Sequence, residues 1–246
     1  TADEIGVRLV GSEMCIRDSH RVGRKWRSAL TKLGFLFPEI PKSLIIVGAS
    51  AIGCEFASMY RTFGTNVTLI EALPRIVPVE DEEVSAELTR AFSKRGIKVL
   101  AGAKMTAMQK GDGSVKVSLT DAEGKQQELS AERALMGIGI VANSKGFGLE
   151  EAGVAIDQRG FITIDDQMRT NVEGVYAIGD CASTGPWLAH KASAEGILAA
   201  EVIAGHHPPA INYAKIPGCT YCSPEIASVG LTEAKAREQG YDVKVG

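Results

Sequence analysis

The chain contains 246 residues, of which 45% are hydrophobic and 23% charged, with 27 basic and 30 acidic side chains and a formal net charge of −3. This balance shows neither the basic excess typical of nucleic-acid binding nor the acidic run of a solvating tail. The 6% aromatic content disfavours base-stacking surfaces, and no apolar run reaches the ~18 residues of a membrane helix. At about 150 residues per domain, the length predicts one to two domains. The composition predicts a soluble α/β protein.

Residues 1–40 give no clear secondary structure. Residues 1–19 show no regular hydrophobic period, and their segment GSEMCIRDS resembles translated sequencing-adapter sequence. We therefore expect residues 1–19 not to be native, and the chain, which does not begin with Met, to be a fragment. Residues 20–40 lead into the prolines Pro38 and Pro41 and are predicted to be a linker or a domain crossing.

Residues 41–71 form a predicted βαβ unit of about 30 residues. The apolar run 43–47 is typical of a strand buried on both faces of a parallel sheet. A glycine-bearing turn follows, and a helix is predicted up to Gly64. The apolar residues of that helix fall at helical spacing: Ile52, Phe56, Met59, Tyr60 and Phe63. The second strand covers residues 66–70 and ends in Glu71.

A second helix and a group of short strands follow. The helix is predicted to begin at Asp81 and to end at Gly96, with Val84, Leu88 and Phe92 on one face. A further strand is predicted at 97–100. Residues 104–136 are then interrupted by glycine turns and alternate apolar with polar residues, which predicts an antiparallel meander with one wet face.

The remainder of the chain contains mixed elements. Short strands are predicted around residue 156 and at 162–164, with a turn at 165–166 and a buried strand at 175–178 that ends in Gly179-Asp180. A helix is predicted at 188–205, with Leu198, Val202 and Ile203 inward. A strand at 227–231 is followed by a helix that starts at Thr232 and ends at Gly240, and a strand start is predicted at 241–243.

The turn after the first strand has the pattern of a dinucleotide-binding loop. Six residues join strand and helix and are predicted to bind NAD: Gly48, Ala49, Ser50, Ala51, Ile52 and Gly53. Gly48 permits the sharp turn, Gly53 permits close packing, and the helix N-terminus offers N–H groups and a positive dipole to a pyrophosphate. Ser50 replaces the usual middle glycine and is expected to weaken binding. The alternative is a structural βαβ turn with no ligand.

Glu71 favours NAD over NADP. It ends the second strand, 23 residues after Gly48. A carboxylate at this point accepts hydrogen bonds from the ribose hydroxyls of NAD, whereas it repels the 2′-phosphate of NADP.

Residues 170–180, TNVEGVYAIGD, form a longer and more specific signature. They combine a turn, a buried strand and a terminal Asp180, whose carboxylate suits sugar-like hydroxyls; the alternative is a surface Asp in a glycine turn. The segment resembles the second FAD motif of the pyridine nucleotide-disulfide oxidoreductase family, in which the matching Asp holds the ribityl chain of the flavin.

The resemblance extends from about residue 40 to residue 246. It is carried by the segments 41–43, 48–56, 73–74, 79–81, 187–192, 216–222 and 227–233, and by Gly139. The segments LAHKA and IPGCTYC are most similar to the branch of the family that oxidises protein-bound dihydrolipoamide.

The family architecture implies an α/β fold in which a Rossmann-like NAD domain with a β-meander is inserted in an FAD domain, followed by the start of an α+β interface domain that forms a homodimer. The implied boundaries are 20–40 for a remnant of the FAD domain or linker, 41–142 for the NAD domain, 143–210 for the C-terminal part of the FAD domain, and 211–246 for the start of the dimerisation domain.

The resemblance also assigns site residues. It places NAD contacts at Gly48, Gly53 and Glu71, with Gly139 near the nicotinamide half and Met105 near the adenosine side. The implied FAD contacts are Asp180, Trp187, Leu188, Ala189 and His190. Glu55 matches a family glutamate close to the flavin–nicotinamide contact, where it pairs with a lysine that this chain lacks; the alternative is a solvated helix acid.

The catalytic groups of the family have no counterpart in this sequence. The family's redox pair is spaced C-x4-C, and none of the five cysteines, Cys15, Cys54, Cys181, Cys219 and Cys222, has that spacing. The first FAD fingerprint and the His–Glu acid/base pair of the interface domain are also not found. We therefore predict no catalytic residue. We predict no metal ligand either, because the C-x2-C at 219–222 lacks a second half-site and a strand would direct its two side chains to opposite faces. Cys54 and Cys181 are expected to be small buried hydrophobes.

The resemblance implies NAD-linked oxidation of dihydrolipoamide through FAD and a redox disulfide, with lipoyl domains of 2-oxoacid dehydrogenase complexes as partners. The alternatives are another FAD/NAD-linked enzyme, such as an NADH oxidase, a mercuric reductase or a glutathione-reductase-like enzyme, or a stand-alone NAD-binding module. The odd cysteine count indicates a reducing compartment, the bacterial cytoplasm or alternatively the mitochondrial matrix. We expect the chain by itself to be inactive.

Overall fold

A computed structural model describes residues 8–10, 39–183 and 185–246. These residues divide into two compact units, one made of 39–139 with 217–246 and the other of the described residues in 140–216 together with strand β1 (Arg8–Val10). Most of the segments predicted to be non-native or linker, 1–19 and 20–40, lie outside the described residues. None of the helices in the described ranges is long and apolar enough to cross a membrane.

The first unit is built on a parallel sheet. Its elements from residue 43 to 136 are β2 (Ser43–Val47), α1 (Ala51–Thr62), β3 (Asn66–Glu71), α2 (Glu82–Lys94), β4 (Lys98–Ala101), β5 (Lys104–Lys110), β6 (Val115–Thr120), β7 (Gln126–Ala131) and β8 (Arg133–Met136). The parallel sheet has the order β4-β3-β2-β8, so that the chain reverses direction across the sheet at β2. The predicted βαβ unit is confirmed.

Strand β2 is buried on both faces, as its apolar run predicts. Leu44 and Ile46 pack on one face with α1 and α2, whereas Ile45 and Val47 pack on the other with the meander residues Val117 and Leu119. The meander β5-β6-β7 is antiparallel, as predicted. One part of that prediction is wrong: β8, within the predicted meander range of 104–136, leaves the meander and pairs in parallel with β2.

The helices confirm their predicted positions, and the buried face of α1 is partly the expected one. Tyr60 is buried and Phe56 and Met59 pack against the core, as predicted, whereas Ile52 and Phe63 are 46% and 55% exposed. The small residues Gly53, Cys54 and Ala57 complete the buried face of α1. In α2, Leu88 and Phe92 are fully buried, as predicted.

The second unit contains β9 (Val175–Ala177) and α3 (Ala189–Ile203), and β9 pairs in parallel with β1. The strand predicted at 175–178 is thus confirmed, with its end one residue earlier. The strands predicted around 156 and at 162–164 reduce to isolated bridges of Ile156 and Ala182 with Ile162. In α3, Leu198 and Val202 are buried, whereas Ile203 is only half-buried.

Residues 217–246 pack within the first unit. They form the antiparallel pair β10 (Gly218–Thr220) and β11 (Ile226–Ser228), followed by α4 (Glu233–Glu238). The Thr232 hydroxyl accepts a hydrogen bond from the Lys235 N–H and caps α4 as predicted. The strand start predicted at 241–243 is wrong, since this part of the described chain has no regular structure.

Candidate functional site

The carboxyl ends of β2 and β8 meet at two glycines. Gly48 has φ +97°, and a Cβ placed on it would lie 2.4 Å from the Gly137 carbonyl oxygen. The Gly137 N–H donates to the Val47 carbonyl at 2.7 Å, which fixes the end of β8 beside the turn. Any side chain at position 48 would collide with backbone, so this turn requires glycine. The strand order reverses at β2, which is where open α/β sheets bind ligands.

Helix α1 starts immediately above this turn. A Cβ on Gly53 would lie 1.9 Å from the Gly48 carbonyl oxygen, so glycine is required here as well. The close approach directs the first turn of α1, whose leading N–H groups have no partner within a helix, toward the crevice outside the sheet. Ser50 is the N-cap residue, is exposed, and makes no side-chain capping bond. Ala51 and Ile52 are the first two residues of the helix.

Glu71 is tied to the loop. Its Oε2 accepts a hydrogen bond from the Ala49 N–H at 2.7 Å, and its Oε1 accepts one from the Leu73 N–H at 2.9 Å. The side chain is 9% exposed. Each carboxylate oxygen has a second lone pair, so the group can accept further hydrogen bonds from a ribose. Glu71 therefore supports the loop in addition to lying where a nucleotide ribose is expected.

A second contact holds the same loop residue from the opposite side. The Val77 N–H donates to the Ala49 carbonyl at 2.7 Å, and the Val77 side chain is buried. Val77 has φ +40°, a left-handed conformation that a β-branched residue rarely adopts. Both backbone polar groups of Ala49 are thus held, the N–H by Glu71 at the end of β3 and the carbonyl by Val77 after β3. The sequence gives no local signal for this contact.

The other residues predicted to contact NAD lie in the same unit. Gly139, with φ +127°, follows β8 in open space, and Met105 is half-buried on β5 next to a register shift. Glu55 is half-buried on α1, and its Oε1 accepts a hydrogen bond from the Tyr221 N–H at 2.8 Å. Glu55 is therefore not simply solvated, although its role near a cofactor stays a prediction.

Asp180 lies in a short 3₁₀ turn, Gly179–Cys181, directly after β9. Its carboxyl is half-buried and makes no hydrogen bond within the described residues. Burial raises the pKa of Asp180, and the Lys191 ammonium partly opposes that rise. A half-buried carboxyl that accepts no hydrogen bond from the described part of the chain can accept from the hydroxyl groups of a ligand, so the residue fits the predicted ribityl contact.

The Asp180 turn rests on a buried ion pair that the sequence analysis did not identify. Lys191 and Glu195 are one turn apart on α3, and their side chains are fully buried with Nζ and Oε2 3.1 Å apart. The Gly179 N–H donates to Glu195 Oε2 at 2.7 Å, and Lys191 Nζ donates to the Gly179 carbonyl at 3.2 Å. Tyr213 donates its hydroxyl to Glu195 Oε1 at 2.8 Å. The i, i+4 spacing was the available signal, but such pairs are usually exposed.

The predicted FAD segment 187–190 leads into α3. Trp187 stacks on Phe161 with ring centroids 5.6 Å apart, and it is 45% exposed. Leu188 is the N-cap residue of α3, and Ala189 and His190 begin the helix. These residues belong to the same unit as Asp180. The structure therefore places the two predicted NAD and FAD groups in separate units.

The cysteines in the described residues are free thiols. Cys54 and Cys181 are buried, as predicted. Cys219 is exposed and Cys222 is buried, but the strand ends at Thr220, so the expected strand through both residues of the C-x2-C is wrong. Burial raises the pKa of the Cys222 thiol to about 11, with a further contribution from Glu55. The described ranges contain no cluster of three or more His, Cys, Asp or Glu that could hold a metal.

Two family models match the chain. Residues 12–196 match the model described as pyridine nucleotide-disulphide oxidoreductase, and residues 216–246 match the dimerisation domain of the same family. Together they cover most of the chain.

Curated relatives agree with this match. The chain is 48% identical over 210 residues to a dihydrolipoyl dehydrogenase of Rhizobium etli, covering 84% of this chain and 43% of that protein. It is 49% identical over 210 residues to the dihydrolipoyl dehydrogenase of Zymomonas mobilis, covering 85% and 45%. The chain thus spans less than half the length of these relatives.

Solved structures share the fold. LpdA from Mycobacterium tuberculosis matches with a TM-score of 0.75 and 30% identity, covering 84% of this chain and 44% of that one. The HOCl-induced flavoprotein disulfide reductase RclA from Escherichia coli matches with a TM-score of 0.76 and 26% identity, covering 85% and 47%.

Proposed function

The chain belongs to the pyridine nucleotide-disulphide oxidoreductase family, and from that premise we propose that it is part of a dihydrolipoyl dehydrogenase. The proposed reaction converts dihydrolipoamide and NAD⁺ to lipoamide, NADH and a proton. Members of this family use FAD and NAD(H). Identity of 48–49% to two bacterial dihydrolipoyl dehydrogenases supports this member of the family over an NADH oxidase or a mercuric reductase.

The observation that carries the NAD assignment is the pair of glycines where the sheet reverses direction. Gly48 and Gly53 leave a cradle that a Cβ would fill, and the first turn of α1 lies above it. The N–H groups of that turn hold the pyrophosphate, and Glu71 accepts the ribose hydroxyls. Met105 and Gly139 are proposed to lie beside the adenosine and nicotinamide halves.

The second unit is proposed to hold part of the FAD. Asp180 accepts hydrogen bonds from the ribityl hydroxyls, and the segment 187–190 contacts the flavin. Bound FAD supplies the two-electron transfer between the dithiol and NAD. The protein's contribution is to orient the flavin through Asp180 and the start of α3. A stand-alone NAD-binding module has no need of Asp180, so retained flavin distinguishes the two proposals.

Cofactor titration tests these assignments. We expect the purified chain to bind NADH at least tenfold more tightly than NADPH, measured by quenching of protein fluorescence, because Glu71 repels a 2′-phosphate. Equal affinities would contradict the assigned role of Glu71. Retention of visible flavin absorbance after gel filtration with FAD would support the flavin assignment and contradict the stand-alone module.

The isolated chain is expected to be inactive toward dihydrolipoamide. No two of its five cysteines are spaced C-x4-C, so the sequence provides no pair for the redox disulfide of the family. Turnover of dihydrolipoamide with NAD by the purified 246-residue chain would refute this expectation.

The partners and the compartment belong to the whole protein. We propose a homodimer, supported by the match of residues 216–246 to the dimerisation domain. We also propose that the whole protein reduces NAD with electrons from lipoyl domains of 2-oxoacid dehydrogenase complexes. A reducing compartment, the bacterial cytoplasm, agrees with the free thiols and the bacterial relatives.

A further inference from the structure

Two fully buried charges in the second unit require an explanation. Lys191 and Glu195 have 0% exposed side chains, although the burial of charged groups is costly even when they are paired. Apolar residues of similar volume would often serve stability as well or better. The contacts of this pair therefore point to a role other than packing.

Two of those contacts reach the same residue of the Asp180 turn. The N–H of Gly179 donates to Glu195 Oε2, and its carbonyl accepts from Lys191 Nζ. Gly179 has φ +77°, so its backbone is in the left-handed region. The ion pair thus holds both polar groups of the residue whose conformation determines where the next residue, Asp180, points.

Two further contacts fix the pair itself. Tyr213 donates to the second carboxylate oxygen of Glu195 at 2.8 Å, so both oxygens are held. On the same helix, a Cβ at Gly196 would lie 3.3 Å from Ile178 Cδ1, which shows how closely α3 approaches the end of β9. The Glu195 carboxylate that accepts from Gly179 is therefore held by a second element, and α3 lies close to the residue that precedes Gly179.

We propose that the Lys191–Glu195 pair is a positioning device that sets the Gly179 turn so that the Asp180 carboxylate is directed at the flavin ribityl chain. The hydrogen bonds described above are sufficient to argue that the pair holds the Gly179 turn. That the held turn serves flavin binding rests on the proposed function. Lys191 and Glu195 are positioning residues, because they act on the ligand through Gly179 and Asp180.

The test compares a neutral double variant with a matched control. Lys191→Met combined with Glu195→Gln removes both charges while keeping the approximate volume, which avoids an unpaired buried charge. Glu201→Gln removes an exposed charge from the same helix and serves as the control. Hydrogen exchange of the Gly179 and Asp180 amides is measured by NMR in the full chain, and urea unfolding is measured in parallel.

We expect the double variant to exchange the Gly179 amide at least tenfold faster than the parent chain, beyond any increase shared by amides of α3, while the control leaves it unchanged. If exchange rises by the same factor at Gly179 and throughout α3, the pair only stabilises the fold and the proposal is overturned.

An FAD titration of the same proteins separates this inference from the proposed function. A tenfold or greater weakening of FAD binding in the double variant, with NADH affinity unchanged, would support the positioning role. Faster Gly179 exchange with unchanged FAD affinity would overturn the link to flavin. If Gly179 exchange responds as expected while Asp180→Asn binds FAD as tightly as the parent chain, turn fixation holds and the flavin assignment of Asp180 fails.

Discussion

Glu71→Gln separates the two roles of the carboxylate at the end of β3. If Glu71 only contacts the ribose of NAD, an isosteric amide leaves the stability of the ligand-free chain unchanged. In the structure, however, its two oxygens accept from two different backbone donors, the Ala49 and Leu73 N–H groups. A glutamine has only one acceptor oxygen, so its NH₂ group must face one of these two donors.

The expected cost follows from that mismatch. One charge-assisted hydrogen bond is lost, and one backbone donor faces another donor, which together predict a loss of about 1–3 kcal/mol in the free energy of unfolding. The hydrogen bond from the Leu73 N–H is only partly buried, whereas the one from the Ala49 N–H is buried. Glutamine is therefore expected to keep its oxygen on the Ala49 N–H and its NH₂ beside Leu73.

Urea unfolding of the ligand-free chain, followed by circular dichroism, measures the effect. Glu132→Gln is the matched control, because Glu132 accepts one backbone hydrogen bond, from the Lys42 N–H, that a glutamine oxygen can retain. We expect the control to change stability by less than about 0.5 kcal/mol. If Glu71→Gln unfolds at the urea concentration of the parent chain while NADH binding is lost, Glu71 does not brace the loop and our reading of its contacts is wrong.

Three further predictions concern other positions of the two sites. Gly48→Ala is expected to abolish NADH binding and to lower the free energy of unfolding by about 2 kcal/mol or more beyond the effect of Gly64→Ala. Both glycines have positive φ, but only a Cβ at position 48 would collide with backbone atoms. Equal urea midpoints of the two variants would contradict this steric argument. Ser50→Gly is expected to tighten NADH binding in a fluorescence titration, since it removes a side chain from the phosphate approach; unchanged or weaker binding would refute it. Asp180→Asn is expected to stabilise the ligand-free chain near pH 7, because burial raises the pKa of Asp180 and so disfavours its charged form. That advantage should shrink as the pH falls through the raised pKa and Asp180 becomes neutral; a variant less stable than the parent at pH 7 would contradict it.

Much of the first unit could be predicted because its elements carry local signals. The apolar run of β2, the glycine turn and Glu71 all lie within 30 residues of one another, and the structure places them as a βαβ unit. The sequence pattern predicts the wrong sheet for strand β8, because its four residues follow β7 after a single residue. Only the pairing of β8 with the distant β2 shows that it is a parallel strand and not a meander strand.

The parts that sequence could not provide depend on contacts between distant residues. No helical period distinguishes the exposed Ile52 and Phe63 from Tyr60, which is buried in α1. Likewise, Lys191 and Glu195 have the spacing of an ordinary surface pair, and only the packing of α3 against β9 buries them. The sequence pattern therefore predicts where the loops lie. The side chains that hold those loops can be identified only from the three-dimensional structure.

The left-handed conformation of Val77 limits which amino acids can replace it in the course of evolution. Glycine would adopt φ +40° without strain, but it would give up the buried contacts that the valine side chain makes in the core. The position thus couples two demands, since the same residue fills the core and places the N–H that holds Ala49. A glycine at position 77 would remove the backbone strain but would also lose packing in the core. Replacement of Val77 therefore lowers the stability of the fold even though it relaxes the backbone. Val77, which lies outside the 48–53 turn, thus maintains the conformation of that turn.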